Sequence, residues 1–486
     1  MSPDLNPPPV SGEESRPDRF AWLAGMTAAL ATAAAYVLVF RAGFVRWDDN
    51  WVIYKNPNLH GLGLQALKEL ALNVHTSSSW YTPLSGLRHA ALNQFWGLDP
   101  LPFHAANVAM HALNAALAVA AIRALLRLGR ARDAPTTVRE HLAALAGGLI
   151  WSLHPLRVEA VAWVSGGAHT QALSFLLVGL LLYLRAVEVE GRRRWMLLAG
   201  STLAYAASLL SQPSGLGFVG VLVAVDFWRL RGLGGAPWRA GARRALVEKL
   251  PYCAAALAFL AINLSLRSSA VGMAIAHRKI PLSEFGLFPR VMQAFYALGH
   301  FAWRPLFPFR LSPLYTDLIS FDPWSFRFLA VAAAVTAGLV ACVALRKRVP
   351  LLASCAIAYV ALMAPLLGVG EHPYYPADRY SLLSSLVGSV LLASWLARPG
   401  RSPGRQAVAV VASLSCAVGL GLLTLDQSRI WTDTEMLLRS MIERLGDDPF
   451  RARIHARLGA HLAEQGRPSA AADEYNRARE IAASAR

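Results

Sequence analysis

The chain has 486 residues, of which 55% are hydrophobic and only 16% charged, against about 25% charged in an average soluble domain. Apolar runs of about twenty residues, the length an α-helix needs to cross hydrocarbon, recur from Phe20 to Leu425. A soluble enzyme, a disordered chain and a disulfide scaffold are excluded, and an all-α polytopic membrane protein is predicted. A net charge of +17 would suggest nucleic acid in a soluble chain. Here the arginine clusters fall in every second loop between apolar runs, which is the positive-inside pattern, and no nucleic-acid partner is expected.

In chain order, residues 1–19 are rich in Pro, Ser and Glu and read as a disordered cytoplasmic tail. The apolar run at about 20–40 is too long for a signal-peptide core. No small-residue cleavage site follows it before Arg46-Trp47-Asp48-Asp49, so it reads as a retained anchor. Further spans are predicted at about 104–127, 141–153, 169–186, 196–210, 214–228 and 250–267, the fifth and sixth of the chain hinged at Gln212-Pro213. Val291 to Trp303 is apolar over only about thirteen residues, which suits an interfacial or re-entrant helix. Placing it across the membrane would also put Arg346-Lys347-Arg348 opposite every other basic cluster. Spans at about 327–345, 351–368, 380–397 and 407–425 bring the total to eleven.

The predicted membrane domain thus covers 20–425, with outer loops at about 41–103, 154–168, 268–326 and 369–379. The N-terminus is expected in the cytoplasm and residues 426–486 on the extracytoplasmic side. That tail is charged and helical. Leu458, Gly459, Leu462, Ala471, Tyr475 and Ala478 fall at the offsets of one tetratricopeptide unit, with an ordinary helical hairpin as the alternative. The four cysteines, Cys253, Cys342, Cys355 and Cys416, all lie inside apolar segments and read as small hydrophobes.

Ionisable residues gather in the outer loops. Asp48 and Asp49 repel one another at a membrane surface, where partial desolvation raises the pKa of at least one. That suits a general base or a metal- or phosphate-handling group; the alternative is a solvated acidic turn. His154-Pro155-Leu156-Arg157-Val158-Glu159 puts three ionisable residues between two apolar helices, and charges there are paired or functional. Glu159 can pair with Arg157 or share a cleft with Asp49. Arg379, preceded by Glu371, His372 and Asp378, is a natural bidentate phosphate ligand, or else a partner in a loop-organising ion pair. His75 and Tyr81 lie in the first loop, and Glu284, Asp317 and Asp322 in the long one, without distinguishing context. His104, Asn107, His111 and Asn114 share one face of the second span. Two histidines without a third ligand point to interhelical hydrogen bonding rather than zinc.

Read together, the segments resemble a known family. The acidic pair after the first span is followed by Tyr81-Thr82-Pro83-Leu84, Gly97-Leu98-Asp99-Pro100 and Phe103-His104-Ala105-Ala106-Asn107. Then come His154-Pro155 with Glu159-Ala160-Val161, Asp226-Phe227-Trp228, Leu311-Ser312-Pro313-Leu314-Tyr315 and Ala377-Asp378-Arg379-Tyr380. The order is similar to that in bacterial relatives of the transmembrane and tetratricopeptide-repeat-containing O-mannosyltransferases, of the family-C glycosyltransferase fold. The resemblance implies a polyprenyl-phosphate-sugar donor and a protein Ser/Thr hydroxyl acceptor on the extracytoplasmic face of a bacterial inner membrane. It implies Asp49 or Asp48 as catalytic base, Asp49 slightly favoured, with Glu159 as a second acidic residue in the cleft. Arg379 would hold the donor phosphate, with Arg157 and His154 as weaker candidates. No cofactor is required, and a divalent metal is compatible. Two departures stand out: Gly167-Ala168-His169-Thr170 where many relatives carry a basic-acidic pair, and Gln212 where many carry a lysine. The alternatives are a non-catalytic membrane scaffold recruiting a protein partner through its tail, and a lipid-carrier or polysaccharide transporter.

Overall fold

The computed structural model describes residues 18–56, 59, 61–72, 80–128, 136–230, 235–267, 285–369, 374–399 and 402–484. The tail over 1–17 and the residues His75, Arg130, Arg132, Arg231, Glu284, Glu371, His372 and Arg401 lie outside the described residues. Among the described residues all regular structure is helical.

The helices that frame the membrane domain are α1 (Arg19–Ala35), α2 (Leu64–Leu72), α3 (Pro83–Trp96), α4 (Pro100–Arg127), α5 (Val138–Ser152), α6 (Val158–Ala162), α7 (Gly167–Ala186), α8 (Gly191–Leu209), α9 (Phe218–Leu230) and α10 (Gly235–Arg267). They are followed by α11 (Leu287–Trp303), α12 (Phe326–Ala344), α13 (Pro350–Met363), α14 (Ser381–Ser384), α15 (Leu386–Leu396) and α16 (Pro403–Ser428). The tail contributes α17 (Thr434–Leu445), α18 (Arg451–Glu464) and α19 (Pro468–Ser484).

Helices accordingly occupy the eleven predicted segments, but they differ in reach. Among the described residues six are long and apolar enough to cross a membrane: Pro100–Arg127, Gly167–Ala186, Pro213–Leu230, Trp238–Leu266, Phe326–Lys347 and Pro403–Trp431. A seventh candidate is the pair Asp378–Ser384 and Leu386–Leu396, bent by 44°. Pro350–Leu366 is apolar but shorter, while α1 and α5 have 17 and 15 residues. The 17-residue α11 packs against α12 without reaching spanning length.

Small residues set how closely these helices approach. Ala115, Ala118 and Ala121 of α4 and Ala143, Ala144 and Ala146 of α5 are buried in the helix–helix interfaces. Such faces suit a bundle in lipid, where close van der Waals packing replaces the hydrophobic drive available in water. The approach of α9 and its preceding turn to α13 is close: a Cβ at Gly217 would lie 2.1 Å from the Ala361 carbonyl oxygen, and one at Gly220 would lie 2.2 Å from the Ala361 Cβ. Large apolar side chains such as Trp22, Leu30, Val340, Val411 and Leu422 point outward, as helices facing hydrocarbon require.

Several charges that enter the bundle are paired. Lys249 of α10 and the Tyr183 hydroxyl of α7 (2.7 Å) both bind Asp226 of α9, with Arg229 at 3.2 Å. Arg194 of α8 meets Glu248 of α10 at 2.6 Å. These contacts tie the ends of four consecutive helices, so Asp226 of the Asp-Phe-Trp motif is a helix-end anchor. At the start of the bundle, Asp18 accepts from the Ala21 amide and holds Arg123 of α4 at 2.7 Å, which fixes α1 against α4.

The tail helices pack on one another and on the loops at one end of the bundle. Leu437, Leu438, Met441, Ile454, Leu458, Leu462 and Ala471 share a core with Trp431, Val158, Val161 and Trp163. A Cβ at Gly459 would sit 3.0 Å from the Tyr475 ring, so α18 and α19 meet closely at this glycine.

Candidate active site

The chain leaves α1 through a single turn, Val37–Arg41, and reaches the acidic pair after Trp47. Asp48 has φ +82°, a left-handed backbone that among side-chain-bearing residues Asp and Asn tolerate best. Its carbonyl accepts the amides of Trp51 and Val52 at 2.9 and 2.8 Å, which starts the turn Asn50–Tyr54. This reversal sends the two adjacent carboxylates to different places.

Asp49 is fully buried. One oxygen accepts the Val45 amide at 3.0 Å; the other accepts the Ser165 amide at 3.0 Å and the Ser165 hydroxyl at 2.6 Å. Burial pushes its pKa up to about 7, against the opposing hydrogen bonds from Ser165 and Val45. Asp49 thus clamps the loop after α1 to the segment between α6 and α7. Asp48, by contrast, is exposed. Desolvation by the surrounding protein holds its carboxyl above the ordinary value, while Arg379 and Arg457 pull in the opposite direction.

The loop after α5 begins with His154, whose Nδ1 accepts the Leu156 amide at 3.2 Å and caps the turn Pro155–Arg157. Its Nε2 faces the Pro305 carbonyl at 2.9 Å, and burial with Arg157 nearby pushes it down to about 3. Both ring nitrogens of this neutral imidazole are engaged, so His154 braces the loop. Arg157 is completely buried and donates from Nη2 to the Ser381 hydroxyl at 2.9 Å. Burial lowers it to about 10, which leaves it protonated.

Glu159 does not pair with Arg157. Its side chain accepts both the backbone amide of Arg379 (2.8 Å) and that residue's guanidinium. Among the described residues the carboxylate paired with Arg379 is therefore Glu159, on another loop 220 positions away, and not the adjacent Asp378. The Arg379 guanidinium also stands over the Trp163 ring at 5.3 Å and the Tyr380 ring at 4.9 Å. Asp378 turns inward instead and accepts the Tyr315 hydroxyl at 2.8 Å. Arg304 in turn donates to the Tyr315 oxygen at 3.0 Å.

The polar face of α4 supports this arrangement from behind. Asn107 donates to the carbonyls of Val161, Trp163 and Val164, and accepts from Arg88 of α3 at 2.9 Å. His104 and His111 contact the carbonyls of Gly43 and Ser152, and Asn114 donates to that of Thr170. The expected hydrogen-bonding role of this face is thus realised through backbone carbonyls. A Cβ at Gly167 would lie 1.9 Å from Asn107 Oδ1, so only glycine allows this approach. The two departures noted in the sequence also meet, because the Gln212 amide donates to His169 Nε2 at 2.9 Å. Among the described residues no three His, Cys, Asp or Glu side chains converge as a metal site.

The tail completes the rim. Arg457 of α18 lies over the Trp47 ring at 4.6 Å, Arg46 pairs with Glu464 at 2.8 Å, and Trp431 stacks on Trp163. The Gly43 amide donates to the Thr432 carbonyl, and Thr316 binds Asp448 at 2.5 Å. Arg457, Arg88 and Ser165 are site residues that sequence reasoning missed. None has a local signature, since each matters only through a segment distant in the chain.

The structure therefore joins Glu159 to Arg379, leaves Asp48 within electrostatic reach of Arg379 and Arg457, and places Asp49, His154 and Arg157 as buried supports. The chain is similar to the protein O-mannosyl-transferase Tmtc2 of Drosophila melanogaster, 29% identical over 216 residues, covering 41% of this chain and 21% of the fly protein. Human TMTC2 is 30% identical over 156 residues (31% of this chain, 17% of that protein), and human TMTC1 is 28% identical over 174 residues (34% and 18%). This is the likeness of a distant relative, and the aligned part spans only about a fifth of the length of these curated relatives. No family model matches the chain, and no solved structure matches it.

Proposed function

We propose that the chain is a membrane glycosyltransferase that moves a sugar from a polyprenyl-phosphate-linked donor to a protein Ser or Thr hydroxyl, with Asp48 as the base. The observation that carries this reading is an exposed carboxyl, next to the Trp47 ring that Arg457 covers, within electrostatic reach of an Arg379 guanidinium fixed by Glu159 and two aromatic faces. As the acceptor oxygen attacks the anomeric carbon, its proton passes to Asp48. The bond from that carbon to the phosphate oxygen breaks, and the phosphate leaves with the electron pair. Direct displacement inverts the anomeric carbon. Arg379, pre-oriented by Glu159 and two aromatic faces, supplies fixed positive charge where the phosphate gains negative charge. No metal is needed for that neutralisation.

The relatives' name, protein O-mannosyl-transferase, supports this reaction class. The alternation of basic loops supports an N-terminus in the cytoplasm with the site and tail on the outer side, in what we take to be a bacterial inner membrane. The domain assignment follows: a membrane glycosyltransferase domain over 20–425 and a tetratricopeptide-like tail over 426–486 that docks at the acceptor side.

The test compares glycans on envelope proteins from strains that are native, deleted, or complemented with Asp48→Asn or Asp49→Asn, with membrane levels checked in parallel. A hexose-sized mass on Ser or Thr should vanish on deletion and stay absent with Asp48→Asn at normal membrane levels. Full rescue by Asp48→Asn would remove it as the base, and no glycan difference on deletion would sink the transferase reading.

A further inference from the structure

A second feature lies away from the acidic rim. Between α4, α7, α9, α13 and α15 runs a cavity of about 430 Å³, walled by side chains such as Leu125, Leu176, Leu180, Phe218, Val225 and Leu386. Along α13 it extends from Pro350 to Leu362, about 18 Å at 1.5 Å per residue. That is slightly more than the hydrocarbon of one leaflet, about half of roughly 30 Å. Its two ends differ in chemistry. Leu362 and Leu383 close one end, about one helical turn beyond Arg379, whereas Arg348 and Arg398 border the other.

Both of these arginines are exposed, and neither pairs with a carboxylate among the described residues. Glu140 also lines this end, but its Oε2 accepts the Thr137 amide at 2.9 Å within the capping box that starts α5. An apolar slot this long gives water almost nothing to bond, so it stays dry or takes up hydrocarbon.

We propose that the slot holds one acyl chain of an anionic glycerophospholipid, with its headgroup phosphate held by Arg348 and Arg398. Apolar walls match the chain, paired cations match the phosphate, and the depth matches one leaflet. The basic end lies at the opposite end of the slot from Arg379, so the occupant is a membrane lipid rather than the sugar donor, whose phosphate belongs beside Arg379. This inference goes beyond the proposed transfer and rests on it only in assigning the donor phosphate to Arg379.

The full-length protein, purified and reconstituted from vesicles of phosphatidylcholine with or without phosphatidylglycerol, is released into native mass spectrometry and its retained lipid identified. One phosphatidylglycerol should stay bound, with phosphatidylcholine lost. The double variant Arg348→Gln/Arg398→Gln, which changes only exposed side chains, should bind phosphatidylglycerol about thirtyfold more weakly. Ala358→Phe, which fills the slot and keeps both arginines, should also lose it. Equal retention of the two lipids, unchanged phosphatidylglycerol binding in both variants, or an isoprenyl phosphate recovered in its place would each overturn the proposal.

Discussion

A carboxylate that accepts a proton from an incoming hydroxyl must be reachable and must keep its lone pairs free. Asp48 meets both demands, whereas Asp49 spends both of its oxygens on Val45 and Ser165. Asp48→Asn is therefore expected to lower transfer by about 100- to 10,000-fold with little change in melting temperature. Asp49→Asn is expected to cost about 1–3 kcal/mol of stability, read from denaturant unfolding in detergent, because one of its oxygens becomes a donor facing donors. The pH dependence has a definite sign. Asp49 is pushed up to about 7 in the folded chain against an ordinary 3.8, so between those values the folded state binds more protons. Its contribution is fully present below about pH 4 and is lost as pH rises through about 7. Melting temperature should fall over that window, and the slope should be shallower in Asp49→Asn.

The choice between the adjacent aspartates was not legible in the sequence. It depends on one left-handed residue and on a serine 116 positions away. Arg379 was legible as a phosphate-binding residue type. Its partner was not, since Glu159 has the closer cation Arg157 in sequence and reaches Arg379 only because two loops fold together. Breaking that buried pair from one side by Glu159→Gln should destabilise the fold by about 3 kcal/mol, measured by the same unfolding.

At the scale of elements, α6 is only five residues long and owes its position to neighbours. Asn107 holds its C-terminal carbonyls, and Gly167 lets α7 begin beside that amide. Gly167→Ala forces the new Cβ into Asn107, so α4 and α7 must part or the amide must swing away. The expected result is a lower melting temperature together with weaker transfer, with Asn107→Ala producing a similar pair of losses. Apolar runs and basic clusters announced where helices lie, because hydrocarbon length and loop charge act locally. They did not separate the long helices from α1 and α5, whose ends are set by Tyr36 and His154 rather than by loss of apolar character.

Across the whole molecule, the tail faces the site with charge as well as packing. Arg457 favours the ionised form of Asp48, so removing that cation should raise the carboxyl's pKa. The acid limb of a pH–rate profile should therefore move to higher pH in Arg457→Gln and return in Arg457→Lys. An unmoved limb would mean that the tail acts by packing alone. Nothing near Asp48 in the sequence points to α18, because the contact joins segments about four hundred residues apart.

The separation has a consequence for biosynthesis. The Arg46 amide donates to the hydroxyl of Thr434, 388 residues later, at the start of α17. At roughly 5–20 residues per second of synthesis, about 20–80 seconds separate the loop from the helices that close over it. During that interval the nascent chain exposes Trp47, Asp48 and Trp163 without Trp431 or Arg457. A ribosome that stalls before α17 thus leaves a chain in which Asp48 lacks the positive charge of Arg457 and Trp163 lacks its stacking partner Trp431.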